Sequence, residues 1–373
     1  MPTQPHQIVK PEKLAQAAAV LLEQSLVVPN VFNKQGVEEF KGAKNDSINI
    51  RVPGILPYRT YGWRNDRSEP VKFDELHERV LTVAFGDDIY SAVKLTDEQS
   101  DFDLIQWTKL LDRQVDAIRR GLEVKAIDYA TAAPYSITLG VDSSKLREGL
   151  VQARALMRQL HTPDGRKTLL VGVDWETALL TDEKLNLAQN VGDAEAVSAL
   201  RTATIGARFG FNIVVAPELP PNMAIALVDS AFVFATGAPY IPQSVPFGAS
   251  ASHNGVSLRW LRDYDSAYLQ DRSIVNTYQG YRHVSDVLVG IDQDNRQGYV
   301  GEHEHFVRAI KLVLDGDSSL PDPNGGRPDE GFSPEQDAEL AAITGIKAGE
   351  PASESGGASD ATSGRARRRS STS

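Results

Sequence analysis

The amino-acid sequence predicts an α+β fold, in which the helix and strand patterns fall in separate stretches of the chain. One long amphipathic helix pattern covers residues 96–132, and short alternating strand patterns precede it. Residues 256–289 are again rich in β-forming side chains. The regular strand–helix alternation of a dinucleotide-binding fold does not occur. These observations favour an architecture built around a single long helix.

This helix, the predicted spine helix, has a well-marked start and end. Thr96 is a natural N-cap with Gln99 at the capping-box position, and Pro134 ends the pattern. The apolar stripe between these points is formed by Leu104, Thr108, Leu111, Val115, Ile118, Leu122, Ala126 and Tyr129. At about 1.5 Å per residue the helix is expected to be on the order of 50 Å long, which a compact enzyme domain rarely needs.

The N-terminal part predicts a short helix followed by an irregular segment. Pro11 suits the first turn of a helix over residues 11–24. Its predicted apolar face consists of Leu14, Ala17, Ala18, Leu21 and Leu22. Residues 26–43 lack a sustained hydrophobic period, which fits an extended arm lying on a neighbouring surface and a loop-rich subdomain equally well.

Two strand patterns enclose a long loop ahead of the spine helix. Residues 48–52 alternate between apolar and polar side chains, and residues 81–95 do the same on the other side. Residues 55–78 between them are rich in charged, aromatic and proline residues and have little core-building pattern. Because an isolated hairpin buries too little apolar surface, we expect this two-stranded loop to rest on another part of the protein.

The chain beyond the spine helix predicts a compact α+β module, a further β-rich stretch and a disordered tail. Predicted helices cover 145–161, 194–205 and a segment capped by Asp174, and predicted strands cover 168–173, 211–215 and 256–260. Residues 237–252 are rich in Pro, Gly and Ser and are predicted to form a link. From residue 316 on, the composition predicts disorder apart from a short helix pattern at 334–343.

The composition excludes several classes of function. The 373 residues include no cysteine, which excludes disulfides and thiolate-based zinc sites. No apolar run reaches the roughly eighteen residues of a membrane span and no secretory signal is visible, so we expect a soluble protein kept in the cytosol. The net charge of −11 argues against wrapping nucleic acid over a broad basic face.

No pattern in the sequence predicts a catalytic residue, a cofactor site or a metal site. His303 and His305, in Glu302-His303-Glu304-His305, share a face only in a strand and lack a third ligand at a recognisable offset. We interpret this cluster as a solvated turn entering the last strand. The alternative is a metal-dependent hydrolase that uses both histidines and nearby carboxylates.

Three further patterns have ordinary structural interpretations. Residues 206–210, Gly-Ala-Arg-Phe-Gly, follow a predicted helix and precede a strand, which reverses the phosphate-loop order and predicts a tight turn. The arginines within 365–369 are interpreted as a solvated end of an acidic tail, and contact with nucleic acid is the alternative. Asp263, Asp265 and Asp271 are expected to form salt bridges to Arg259, Arg262 or Arg272.

Several short motifs occur in a characteristic order along the chain. They are Val93-Lys94-Leu95-Thr96-Asp97-Glu98-Gln99 before the long helix, Gly165-Arg166-Lys167-Thr168-Leu169-Leu170-Val171-Gly172, Ala199-Leu200-Arg201-Thr202-Ala203-Thr204-Ile205-Gly206 followed by Gly210-Phe211, and Arg262-Asp263-Tyr264-Asp265. With the arm and the projecting loop, this order resembles the major capsid protein of tailed bacteriophages over about residues 10–315. The resemblance implies the HK-ninety-seven-like capsid fold.

The resemblance also implies a division of the chain into six parts. These are an N-terminal arm (1–47), an extended loop (48–95), a peripheral domain with the spine helix (96–167), an axial domain (168–254), a return to the peripheral domain (255–315) and a disordered tail (316–373). Loops of the axial domain are expected to gather around fivefold and sixfold axes. No large N-terminal scaffolding extension is visible, which implies a separate scaffolding protein.

The implied function is structural and not enzymatic. Hexamers and pentamers of such proteins form an icosahedral shell around packaged double-stranded DNA, so the expected location is the virion, after assembly in the host cytoplasm. The implied partners are further copies of the chain, a scaffolding protein, a portal and DNA in weak non-specific contact, without a membrane. An encapsulin-like compartment on the same fold is the alternative. A shell supports this interpretation physically, because neighbours would complete an arm and a loop that have little core of their own.

Overall fold

The structure is a computed structural model, and it describes residues 11–37, 47–52, 56, 58–59, 70–71, 73, 79–97, 107–182, 207–245, 247–291, 298–316, 340 and 344. The helices are α1 (Pro11–Ser25), α2 (Trp107–Ala132), α3 (Leu146–Gln159) and α4 (Val173–Thr181). The strands are β1 (Asn33–Val37), β2 (Ser47–Val52), β3 (Arg79–Ala84), β4 (Asp88–Thr96), β5 (Thr138–Val141), β6 (Lys167–Val171), β7 (Asn212–Val215), β8 (Met223–Val228), β9 (Phe232–Gly237), β10 (Phe247–His253), β11 (Val256–Asp265), β12 (Gln270–His283), β13 (Asp286–Ile291), β14 (Gly298–His305) and β15 (Ala309–Leu314).

The larger sheet contains six described strands and lies against α1 and α2. Its order is β1-β9-β12-β11-β10, and β4 pairs with β12 as well. The long strand β12 joins the two parts of this sheet, because β4 pairs with its residues 270–278 and β9 with its residues 278–283. The first core lies between this sheet and the two helices, and it includes Leu22, Ile118, Leu122, Phe232 and Trp260.

A buried polar network fixes the spine helix α2 on the larger sheet. The Gln114 side chain donates from Nε2 to the backbone oxygens of Ser91 and Ser273, each at 3.0 Å. Its Oε1 accepts from Ser273 Oγ at 2.8 Å, and Ser273 Oγ in turn accepts from Trp260 Nε1 at 2.9 Å. Because every member has a partner, the network sets the register of α2 against β4, β11 and β12.

The smaller sheet has five described strands in the order β5-β15-β8-β6-β7. β5 runs parallel to β15 and β7 parallel to β6, whereas β8 is antiparallel to both of its neighbours. Side chains of α3 and α4 complete the second core, which includes Leu139, Leu150, Leu169, Trp175 and Leu312. Two further pairs, β2–β3 and β13–β14, form separate two-stranded sheets.

The α+β class and the long central helix are confirmed. Helix α2 ends at Ala132 as predicted, and its 26 described residues span about 39 Å. Thr96 is the last residue of β4 and Asp97 is helical, whereas residues 98–106, with the predicted capping-box Gln99, lie outside the described residues. The predicted helix at 194–205 also lies outside them.

Two predictions about helices are wrong in detail. Helix α1 buries Ala15, Ala18, Ala19 and Leu22, whereas Leu21 of the predicted face is 40% exposed. The buried face is the one whose small side chains let α1 approach β10 and α2 closely. Helix α4 is capped by Gly172 and not by Asp174, so Val173 begins the helix instead of ending β6. This start directs Trp175 into the second core, where its Nε1 donates to the Asn222 carbonyl at 2.9 Å.

The prediction that residues 237–252 form only a link is also wrong. Residues 247–253 form β10, which pairs antiparallel with β11 along its whole length. The sequence did not indicate this strand because its side chains are small. The packing requires small side chains at this place. A Cβ on Gly248 would lie only 2.7 Å from the Ile241 side chain, so Gly248 leaves room for that side chain against the strand.

Candidate assembly surfaces

The N-terminal segment 11–37 folds onto the body of its own chain. Side chains of α1 and of the turn that follows it, including Leu26, Val28 and Phe32, are buried in the first core. β1 extends the larger sheet by parallel pairing with β9. Of the two expectations for residues 26–43, the described part, residues 26–37, agrees with a subdomain of the chain's own body rather than an arm on a neighbouring surface. The reason is that the segment carries enough apolar side chains to form part of the core of its own subunit.

A buried carboxylate on the spine helix holds this segment in place. Glu123 is 6% exposed and accepts two backbone hydrogen bonds, from Val27 N at 2.5 Å and from Val28 N at 3.1 Å. Burial raises the pKa of Glu123 above its ordinary value, although the two N–H donors act in the opposite direction. The carboxylate therefore links α2 to Val27 and Val28, which lie 96 and 95 positions before Glu123 in the sequence.

A second carboxylate, at the end of α1, joins the segment to the larger sheet. Glu23 Oε1 accepts from Lys34 Nζ at 2.6 Å and from Asn254 Nδ2 at 2.8 Å. The hydrogen bond from Lys34 lowers the pKa of Glu23 below its ordinary value. Lys34 also donates to Asn30 Oδ1 at 3.0 Å, so α1, β1 and the turn between β10 and β11 meet at one polar cluster.

The base of the projecting loop rests on the body, as predicted. β2 and β3 pair antiparallel from Ser47↔Ala84 to Val52↔Arg79. Their inner face packs on a third apolar cluster, in which Val83, Val233, Ala235 and Val284 are buried. The backbone makes a close approach at the same place, because Gly86 N donates to the Gln279 carbonyl at 2.8 Å.

The described positions of the loop itself carry exposed apolar side chains. Leu56 and Tyr58 are each 52% exposed, Val71 is 58% exposed and Phe73 is 93% exposed. Exposed apolar side chains concentrated on one projecting element are typical of an interaction surface. The loop thus differs from the N-terminal segment, which is buried within its own chain.

The three aspartates of the β11–β12 hairpin form the predicted salt bridges. Arg262 contacts Asp271 at 2.8 Å, and Arg272 contacts Asp263 at 2.9 Å and Asp265 at 3.2 Å. Arg259 makes different contacts, since its Nε donates to Asn276 Oδ1 at 3.0 Å and its Nη1 to the Tyr240 carbonyl. The aspartates therefore stiffen the hairpin through ion pairs.

The histidine cluster lies in a strand and not in a solvated turn, so that interpretation is wrong. His303 and His305 both belong to β14, and His305 is 1% exposed. Because β14 pairs with β13, the cluster lies within a two-stranded sheet. Among the residues that the structure describes, no group of three or more potential ligands is placed to hold a metal ion.

The glycine turn and the tail have different outcomes. On the described side of residues 206–210, Arg208 and Phe211 form an isolated bridge, and Phe209 and Gly210 have positive φ angles of 51° and 83°. This is the expected tight turn into β7.

In the tail, Leu340 and Thr344 are helical, and Leu340 is 0% exposed within the second core. The arginines within 365–369 lie outside the described residues.

Sequence reasoning missed Glu123 and the turn at Leu269. A glutamate adjacent to the buried Leu122 was a weak signal for the first, but its partners Val27 and Val28 lie 96 and 95 residues away in the sequence. Leu269 gives no sequence signal at all, because its positive φ of 49° appears only in the folded hairpin.

None of the helices in the described ranges is both long and apolar enough to cross a membrane.

Comparison with known proteins assigns this architecture. A family model described as phage capsid protein matches residues 90–285, which is more than half of the chain. A search of curated proteins gives no match. The match begins in β4 and ends just after β12, so it includes the spine helix and most of both sheets.

Solved structures share the fold at low sequence identity. One from Mycobacterium phage Che8 has a TM-score of 0.52 and 13% identity over 77% of this chain and 91% of that chain. The capsid structure of the cyanophage P-SCSP1u has a TM-score of 0.50 and 10% identity, covering 76% of this chain and 86% of that chain. These similarities confirm the predicted HK-ninety-seven-like fold.

Proposed function

The chain belongs to the phage capsid protein family, and on this premise we propose that its copies assemble into the icosahedral head shell around the packaged double-stranded DNA of a tailed bacteriophage. The observation that carries the proposal is the projecting loop. Its base is packed on the body, but Phe73 is 93% exposed. Such a side chain needs a partner surface, which an adjacent copy in a closed shell supplies.

The contribution of each region to assembly follows from how much it buries within its own chain. Residues 11–37 are part of the subunit body. The projecting loop is therefore the region that we expect to contact neighbouring copies. We keep the ranges 1–47, 48–95, 96–167, 168–254, 255–315 and 316–373 as proposed assembly regions. The sheets combine these ranges, since β5 pairs with β15 in the smaller sheet and β9 pairs with β12 in the larger one.

The proposed partners follow from the shell. Further copies in hexamers and pentamers supply lateral contacts, and a separate scaffolding protein and a portal direct closure in the host cytoplasm. The net charge of −11 favours at most weak, non-specific contact with the enclosed DNA, because strong binding would require many cationic contacts to phosphate.

Two other functions make different predictions. An encapsulin-like compartment would bind a short cargo peptide on its inner face, and the family match to phage capsid proteins gives it less support. A metal-dependent hydrolase would hold a stoichiometric metal through His303 and His305. Metal analysis of the purified chain before and after changing both residues to Ala distinguishes this hypothesis.

Electron microscopy of the assembled chain tests the proposal. Co-expression with its scaffolding protein is expected to give hollow, closed particles of uniform size. The proposal is contradicted if the chain stays a monodisperse monomer under all assembly conditions, as measured by light scattering on a sizing column.

A further inference from the structure

An aromatic cluster lies where the spine helix ends against the larger sheet, and it contains a histidine. Tyr129, in the last turn of α2, stacks on Tyr281 of β12 with ring centroids 5.8 Å apart. His283, the last residue of β12, lies 6.4 Å from Tyr129 and 5.2 Å from Phe306 between ring centroids. Phe232 of β9 pairs with His283 across the sheet and lies 5.2 Å from Phe306. The histidine is therefore packed among rings from several elements.

Two contacts join His283 to the hydroxyl of Tyr129. The backbone N–H of His283 donates to the hydroxyl oxygen at 3.0 Å. The same oxygen lies 3.0 Å from His283 Nδ1. Because the backbone N–H takes one of the oxygen's acceptor positions, the hydroxyl proton can be donated to Nδ1, provided that Nδ1 carries no proton. The contact therefore requires a neutral imidazole with its proton on Nε2.

Protonation of the imidazole removes this arrangement. An imidazolium carries protons on both ring nitrogens, so Nδ1 can no longer accept and the Tyr129 hydroxyl loses this acceptor. His283 is also half-buried, and a charge is less favourable in such a site than in water. Both effects oppose protonation in the folded subunit and are absent from the unfolded chain.

The groups on α2 and β12 support the neutral form of His283. Burial raises the pKa of Tyr129, although Arg282, which precedes His283 on β12, acts in the opposite direction. Tyr129 therefore keeps its proton at neutral pH and remains a donor. Arg282 is a cation, and a like charge nearby disfavours a second one on the imidazole.

Further charged and titratable groups lie on the elements that follow β12. Asp286 begins β13, and Arg308 binds its carboxylate at two points, so its charge is already matched. His305, which precedes Phe306, is 1% exposed and is a second imidazole whose charging is unfavourable. A comparison of variants is therefore needed to isolate the contribution of His283 from that of His305.

We propose that His283 is an acid-sensitive fastening between the spine helix and the larger sheet, because protonation of its imidazole breaks the hydrogen bond from Tyr129. The bond stabilises the folded subunit above about pH 6.5, where the imidazole of an unfolded chain is neutral. This contribution is lost as the pH falls below that value, since the unfolded chain then binds the proton more readily. The inference goes beyond the proposed function and does not depend on it, because it concerns a single copy.

Urea unfolding of the free subunit between about pH 8 and 5 tests the fastening. As the pH falls, the unfolding equilibrium constant of wild type is expected to rise on the order of tenfold relative to His283→Gln, the factor for one pKa unit between the folded and unfolded states. Tyr129→Phe, which removes the hydroxyl, is expected to flatten the profile in the same way. His253→Gln, at an exposed histidine of β10, is the matched control and is expected to keep the wild-type profile.

The slope of the pH profile separates the fastening from ordinary packing. A variant that loses only packing energy is destabilised to the same extent at every pH. Parallel profiles of wild type and His283→Gln would overturn the inference. A Tyr129→Phe variant that retains the wild-type slope would overturn it as well, because the hydroxyl would then have no part in the effect.

Nuclear magnetic resonance of the unsubstituted subunit gives a test that does not depend on a variant that folds. With nitrogen-labelled histidine, the ring of His283 is expected to be neutral at neutral pH, with its proton on Nε2. It is expected to become charged at a lower pH than the exposed His253. A proton on Nδ1 at neutral pH, or charging of His283 before His253, overturns the proposal.

Discussion

At the scale of single residues, two glutamates fasten the N-terminal segment to the body by different means. Glu23 forms an ion pair with Lys34, and the hydrogen bond from Lys34 lowers the pKa of Glu23. Glu123 accepts hydrogen bonds from two backbone N–H groups, but its burial raises its pKa. Since folding stability depends on pH wherever a pKa differs between the folded and unfolded states, these two groups act in opposite directions.

Glu23→Gln is expected to destabilise the free subunit by roughly 0.5–1.5 kcal/mol near neutral pH, because the charged partner of Lys34 is lost. The stability that Glu23 contributes is present above its unfolded value of 4.5 and is lost as the pH falls through its lower folded value. The difference between wild type and variant should therefore shrink in acid. Urea unfolding across this pH range measures it, with Glu12→Gln on the exposed side of α1 as the control.

Glu123 is expected to show the opposite pH dependence. Its folded pKa is raised above 4.5, so its contribution to stability is greatest below 4.5 and is lost as the pH rises through the folded value. Glu123→Gln removes this titration, and wild type should gain stability relative to the variant as the pH falls. Urea unfolding of both proteins checks the sign, and a gain for wild type with rising pH would contradict it.

Glu123→Ala tests the hydrogen bonds themselves. It leaves the N–H groups of Val27 and Val28 without their carboxylate acceptor, which is expected to cost about 1–3 kcal/mol. Hydrogen exchange of these two amides should accelerate in the free subunit. Unchanged exchange would mean that the carboxylate does not hold the segment.

At the scale of elements, the docking of the loop base on the body depends on one close approach. A Cβ on Gly280 would lie 2.5 Å from the Ala84 carbonyl oxygen, whereas a Cβ on Gly86 would lie 3.8 Å from the Gln279 oxygen. Neither glycine has a positive φ, so the comparison concerns space alone.

Gly280→Ala is therefore expected to push β3 away from β12 and to cost about 1–3 kcal/mol of stability, with fewer particles formed. Gly86→Ala is the matched control and is expected to change both quantities little. Thermal unfolding and particle yield measure the two effects. Equal behaviour of the two variants would show that the base of the loop is not packed as described.

Leu340 provides a similar test for the tail. It is 0% exposed in the second core, so Leu340→Ala is expected to destabilise the subunit by about 2–5 kcal/mol. Leu21→Ala, at a 40% exposed position, is the control. Equal stability of the two variants in urea would indicate that the tail makes no contribution to the core.

The elements with a clear hydrophobic period were predictable from the sequence. Helix α2 follows from the spacing of Leu111, Val115, Ile118 and Leu122, and β11 from Val256, Leu258 and Trp260. β10 was missed because its Gly, Ala and Ser residues resemble a linker in composition, and only pairing with β11 makes them a strand. The face of α1 was misplaced because residues 17–22 are an unbroken run of alanine, valine and leucine, so packing alone selects the buried side there.

The contacts at the candidate assembly surfaces were likewise predictable from the sequence only in part. The salt bridges of the β11–β12 hairpin were predictable, because opposite charges lay close together in sequence. The hydrogen bonds from Val27 and Val28 to Glu123 were not predictable, since the partners are 96 and 95 residues apart and no pattern links them.

At the scale of the whole molecule, most of the described elements pack within their own subunit. The N-terminal segment, both large sheets and the spine helix are packed into continuous cores, which corrects the expectation that all outlying parts depend on neighbours. Among the described residues, the most exposed large apolar side chain is Phe73 of the projecting loop, at 93%. On the proposed function, we expect assembly to join preformed bodies with little refolding.

An electron cryo-microscopy reconstruction of the assembled particle, resolving side chains, tests this account most directly. The measurement is the exposed fraction of Phe73, which is 93% in the single subunit. We predict a closed icosahedral shell in which Phe73 of each copy is buried against an adjacent copy. A particle in which Phe73 remains exposed in every copy, or a preparation that never closes into a shell, would contradict it.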